Sequence, residues 1–90
     1  MTKFTLISTD DCFVITLANV KSNKRLLIKY SDLEENINMV NVNRVYEEIR
    51  NRIESKYDVE KSAIKLEFDN KTKNKIAVIA AYNKKLFDVI

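Results

Sequence analysis

Glycine, proline, histidine, glutamine and tryptophan are all missing from this 90-residue sequence. A chain of average composition and this length would hold about six glycines and four or five prolines. Without glycine, no Gly-rich loop can bring its backbone close enough to cradle a phosphate. Without histidine, nucleophilic catalysis loses its usual base. One cysteine, Cys12, forbids an internal disulfide and suits a reducing cytoplasm. Cys12 sits in an apolar run with nothing to activate it, so it is expected to be buried and dispensable. No apolar run approaches the ~20 residues that span a bilayer. The opening MTKFTLISTDD lacks the long apolar stretch and small-residue cleavage site of a secretory signal. No membrane partner is expected.

The missing residue types share a coding bias. Codons for Pro, His and Gln begin with C, and those for Gly begin with GG. Lys, Asn and Ile, whose codons are rich in A and T, are in excess. The reading is an AT-rich gene from a low-GC bacterium, its phage or plasmid, or an AT-rich virus or parasite. Abundant Asn argues against a hyperthermophile.

What remains is an ordinary folding composition. Hydrophobic residues make up 46% of the chain and charged residues 32%, with a formal net charge of +3. Such a chain folds as one compact domain, 1–90, and is too apolar to be disordered.

Residues 2–9 and 12–18 read as strands around an Asp10-Asp11 hairpin link, where Asp tolerates positive φ. In the second run Phe13, Ile15 and Leu17 alternate with Cys12, Val14 and Ala18. Both faces are apolar, which predicts a central strand covered on both sides. NVKSNK is a polar turn, and 25–30 reads as a third strand with Leu26, Ile28 and Tyr30 on one face. SDLE (31–34) matches a capping box with Ser31 as N-cap and Glu34 three positions on. INMVNVN fits helix or strand. The clearest helix is 43–57, where Val42, Val45, Tyr46, Ile49, Ile53 and Tyr57 share a stripe. Glu48 pairs with Arg52 and Arg50 with Glu54 on its outer face. Residues 63–69 alternate, turning Ile64, Leu66 and Phe68 inward. KIAVIAAY (75–82) is apolar on both faces and reads as a fifth strand after a DNKTKN hairpin turn, with 86–90 as a last short one. The order β-β-β-α-β-β predicts an α+β fold, an antiparallel sheet of about five strands with one main helix packed on it.

No catalytic, cofactor or metal site is expected. Asp10-Asp11 has no partner carboxylate at ligand spacing, so turn chemistry accounts for it. DNKTKN lacks the acidic pattern, central Gly and closing Glu of a calcium loop. Asn70-Lys71-Thr72 is a glycosylation sequon of the kind that Asn-rich chains contain by chance. The final DVI fits a strand-addition peptide, but terminal packing explains it as well.

Chain direction sorts the charges. With the first strand rising, Asp10, Asp11, Asp32, Glu34 and Glu35 share the upper end with the DNKTKNK turn. That places Lys71 and Lys73 near Asp10 and Asp11. The lower end then collects Lys21, Lys24, Arg25, Lys56, Lys61, Lys84 and Lys85 against Asp58 and Glu60. If phosphate backbone binds anywhere, Lys21, Lys24, Arg25, Lys84 and Lys85 are its candidate contacts. The helix exposes mixed charge, however, and most aromatics take core positions.

The expectation is therefore a small non-enzymatic protein that binds another macromolecule, with a protein partner foremost. A phage or mobile-element accessory that inhibits a host protein, in the cytoplasm, fits the coding bias. The alternatives are a nucleic-acid-binding module using the basic end and an oligomeric structural subunit. One helix cannot cover two apolar sheet faces, so a homodimer or hetero-complex is expected.

Overall fold

A computed structural model describes residues 1–21, 24–34 and 38–89. Three strands come first, β1 (Thr2–Ser8), β2 (Cys12–Leu17) and β3 (Leu26–Lys29). Two helices follow, α1 (Tyr30–Glu34) and α2 (Val42–Tyr57). A single turn of 3₁₀ helix, Lys61–Ala63, leads into β4 (Ile64–Glu67), and the long helix α3 (Asn70–Val89) completes the described chain. The sheet order is β3-β2-β1-β4.

The fold is α+β, but the sheet differs from the expected one in two respects. It has four strands, and β4 pairs with β1 in parallel, Thr2 opposite Ile64 and Phe4 opposite Leu66. The antiparallel meander β1-β2-β3 leaves β3 pointing the same way as β1. Helix α2 then carries the chain back to the lower end, so β4 must rise beside β1. Parallel pairing follows from that return.

The second correction is α3. Residues 75–82 are helical, as are 86–89, and Ile90 lies outside the described residues. The sheet therefore lacks a fifth strand and a last short one among the described residues. Asp69 starts the helix, its Oδ1 accepting the Thr72 N–H at 2.9 Å. Three alanines and five lysines within the helix are strong helix formers. Ile76, Ile79, Ala80 and Asn83 are buried on one stripe, a spacing no strand can satisfy.

The other elements begin and end on local signals. Asn41 caps α2 by accepting the Arg44 N–H at 3.0 Å. Asp58 closes α2 in the left-handed region at φ 55°, its N–H reaching the Glu54 carbonyl at 3.0 Å. Ser31 is not a cap, because α1 already begins at Tyr30. Most of the ambiguous 37–43 stretch resolves into a turn and the start of α2, while Ile37 lies outside the described residues. The Asp10-Asp11 link forms without positive φ; among the described residues only Asn19 and Asp58 adopt it. Thr9 holds that link, its N–H donating to the Cys12 carbonyl at 2.9 Å.

All three helices lie on one face of the sheet. Phe4, Leu6, Phe13, Ile15, Ile28 and Ile64 meet Val45, Ile49 and Ile53 of α2 and Ile76 and Ile79 of α3 in a single core. Tyr30 and Leu33 of α1 and Met39 join it. β2 is interior as expected, but only one of its faces is covered. Cys12, Val14 and Thr16 point to the uncovered face and are half-buried.

Candidate interaction surface

Ser8 and Thr72 fix where α3 begins. The Ser8 N–H donates to Thr72 Oγ1 at 3.2 Å, and the Thr72 hydroxyl lies 3.2 Å from Ser8 Oγ, both residues buried. One turn further on, Lys75 Nζ stands 4.3 Å from the centre of the Tyr30 ring. The Tyr30 hydroxyl donates to the Thr9 carbonyl at 2.5 Å, and its ring meets Phe13 edge-on at 4.9 Å. Burial pushes the Tyr30 phenol above its ordinary value, with the nearby Cys12 adding to the effect. Asn83 is the last anchor. Its amide donates to the Leu33 carbonyl at 2.8 Å and the Met39 carbonyl at 3.0 Å, tying α3 to the end of α1.

Beyond Asn83 nothing in the described chain covers the helix. Residues 84–89 are all exposed. At 100° per residue, the apolar side chains of α3 other than Ala77 and Ala81 span an arc of about 200°, twice the stripe that one core requires. Half of that arc faces the sheet. The other half carries Val78, Tyr82, Leu86 and Val89, spaced four, four and three apart. Val78 is 58% exposed and Tyr82 49%. Phe87 continues the core-facing stripe past the edge of the core and is 55% exposed. Among the described residues, five of the ten exposed large apolar side chains lie within 78–89. The molecule measures 44 × 25 × 18 Å, the long dimension expected of a helix that outruns its domain.

A second apolar feature crosses the uncovered sheet face. Ile7, Val14 and Leu27 stand side by side in register, with Ile7 54% and Leu27 60% exposed. The rows around them are polar: Thr5 lies between Thr16 and Glu67, Lys3 beside Lys65, and Cys12 beside Lys29. Lys3 and Glu67 form an ion pair at 3.5 Å. The apolar strip is one residue deep along the strands.

The five candidate phosphate contacts do not gather at one end. Lys21, Lys24 and Arg25 are exposed around the β2–β3 connection, with Lys24 Nζ 4.9 Å from the Tyr57 ring centre. Lys84 and Lys85 are exposed on α3 directly after Asn83, which is bonded to the α1 end. Since α1 leaves the opposite end of β3 from Lys24 and Arg25, the two groups stand at opposite ends. The expected clustering rested on a descending strand at 75–82, and that segment is a helix. Lys71 does meet Asp10, lining a groove of about 350 Å³ with Ser8, Thr9, Tyr30, Asn74, Lys75 and Val78. Lys73, two positions on, turns to the far side of the helix.

Cys12 is half-buried rather than buried, because position 12 falls on the uncovered face. Its Sγ lies 3.3 Å from Thr9 Oγ1. Among the described residues no group of His, Cys, Asp or Glu side chains could hold a metal ion. Nor is any helix there long and apolar enough to cross a membrane. Comparison with protein-family models, with curated proteins and with solved structures gave no match.

The outer stripe of α3 is not evident from the sequence when 75–82 reads as a strand. The signal was present nonetheless: 76, 79, 80, 83 and 87 repeat at helical spacing, and 78, 82, 86 and 89 repeat beside them.

Proposed function

We propose that this chain is a small non-enzymatic interaction domain that docks its last helix onto another protein. One observation supports this above the others: among the described residues, half of the exposed large apolar side chains sit on α3 within residues 78–89. Monomeric proteins scatter such residues singly, and a contiguous set marks a binding surface. Spacing of four and three is how a helix presents anchors to a groove. Tyr82 and Phe87 are the aromatic anchors such interfaces favour. Aliphatic side chains such as Val78, Leu86 and Val89 neither hydrogen-bond phosphate nor stack on bases, so protein is favoured over nucleic acid. The coding bias fits an accessory protein of a phage or mobile element that acts on a host protein in the cytoplasm.

The uncovered sheet face favours a second reading, a homodimer built on Ile7, Val14 and Leu27. That strip is too narrow to form a stable interface of about 800 Å² per partner without its polar margins.

A photo-crosslinking residue at Tyr82, and separately at Lys65 on the sheet face, distinguishes the two. Docking through α3 gives a discrete heterologous adduct from position 82 and none from position 65. An adduct of twice the chain mass from position 65 would instead support the homodimer.

A further inference from the structure

The charges on α3 are arranged in a way that the domain itself does not use. The helix carries Lys71, Lys73, Lys75, Lys84 and Lys85 against one acid, Asp88. None of these lysines forms an ion pair with a described residue; Lys75 rests on the Tyr30 ring instead. Asp10 shares a groove with Lys71, and Asp69 feels the Lys71 charge, but neither closes a salt bridge with it.

Their order along the helix is also unfavourable. After the Asp69 cap, the first turn has two lysines and no acid, and the last turn has Asp88 and no base. A helix dipole favours the reverse. Helix α2 is unfavourable at its start, with Arg44 and no acid in its first turn, but has Lys56 in its last turn, so α3 alone of the two long helices is unfavourable at both ends. AT-rich coding raises the number of lysines, but it does not select which turn they occupy. Departures from local rules without compensation inside the fold concentrate at functional sites.

On the helical wheel the lysines frame the apolar stripe. Lys71 and Lys75 precede Val78 on the outer face, and Lys85 lines a shallow pocket with Val78, Ala81 and Tyr82. From Lys75 to Lys85 is about 15 Å along the axis. Past Asn83 the exposed apolar side chains sweep about 160° of the wheel, from Val89 through Leu86 to Phe87. A groove encloses so wide an arc, whereas a flat surface touches only part of it. A second copy of α3 would set lysine against lysine in either direction.

Resting on the docking reading above, we infer that α3 enters an apolar groove on a protein whose rim carries carboxylates at two stations, one opposite Lys71 and Lys75 and one opposite Lys85. The partner is acidic, and α3 supplies both the anchors and the counter-charges.

Two synthetic three-heptad helices test this. Both have Leu at the seam positions; one carries Glu at the flanking positions and the other Lys. Titrated against the intact domain, the Glu-flanked helix is expected to bind on the order of tenfold or more tighter, and high salt is expected to erase the difference. Lys71→Glu with Lys85→Glu brings the net charge of α3 to zero and should abolish the preference while leaving the thermal melt unchanged. Lys75 is left intact because of its ring contact. Leu86→Ser with Phe87→Ser should abolish binding of both helices. Equal binding of the two helices, or no response to the lysine reversals, overturns the acidic partner while leaving docking through α3 standing. Absence of binding by either helix, or binding that survives the Leu86/Phe87 change, overturns the docking reading too. Tighter association with anionic vesicles or duplex DNA than with the Glu-flanked helix overturns the inference in favour of those surfaces.

Discussion

Asn19 and Asp58 hold the two positive-φ positions among the described residues, at 62° and 55°. In most proteins glycine would take such places, since any Cβ there crowds the backbone; Asn and Asp are the least disfavoured substitutes. A sequence without glycine has to use them. Asp58→Gly and Asn19→Gly are therefore expected to stabilise the fold, each by up to about 1 kcal/mol, read from denaturant melts. Tyr30 and Tyr57 make a different statement at the same scale. Burial raises both phenols above their ordinary range. A pKa raised on folding means that the associated stability is intact below the unfolded value near 10 and is lost as pH rises through the folded one. Melts taken across the alkaline range should show stability declining above about pH 10, with a shallower decline in Tyr30→Phe.

Each helix shows a different balance between propensity and packing. α2 was legible in the sequence because Val45, Tyr46, Ile49, Ile53 and Tyr57 repeat at helical spacing along one stripe, whereas its Asn41 cap was not read there. The first three strands and β4 were legible by alternation. α3 was not, because Ile76, Val78 and Ile79 are β-branched and the run is apolar on every side, which leaves no polar face to reveal the period. Its length arbitrates: 20 residues exceed any ordinary strand. The same misassignment hid the outer stripe and moved Lys84 and Lys85 to the wrong end. Asn83 shows what holds the helix once formed. It is buried, and its amide serves two carbonyls from a segment 50 and 44 positions earlier. Among the described residues its Oδ1 has no partner. Asn83→Ala would strand both carbonyls and is expected to destabilise the fold by about 1–3 kcal/mol, measured by urea titration. Asn83→Leu should recover little of this, since filling the space supplies no donor.

For the molecule as a whole, the sheet is one-sided, with every helix on one face and an apolar strip crossing the other. The sequence carried part of this. Two strands' worth of apolar residues on both faces and too little helix to cover them implied an uncovered side. One of those two strands proved to be α3, so the excess apolar surface is divided between the sheet face and the helix end. Chain direction, followed strand by strand, already required β4 to rise alongside β1. The antiparallel expectation depended on a descending strand at 75–82; with that segment helical, β4 meets a rising strand at either edge of the meander, and it joins the β1 edge in parallel.

That edge has a consequence for the order of assembly. The meander β1-β2-β3 can zip from short turns, but β1 gains its second neighbour only when residues about sixty positions later return to it. Ser8 and Thr72, which lock the start of α3, are 64 positions apart. Closing so long a loop is entropically expensive, and its reward arrives late. Stopped-flow chevrons should show this: Ile64→Val is expected to speed unfolding with little effect on the folding rate, whereas Ile15→Val in the meander should slow folding. During synthesis the growing chain would hold β1 with one side unpaired until β4 emerges, an interval in which that bare strand is open to capture by a chaperone or by another nascent copy.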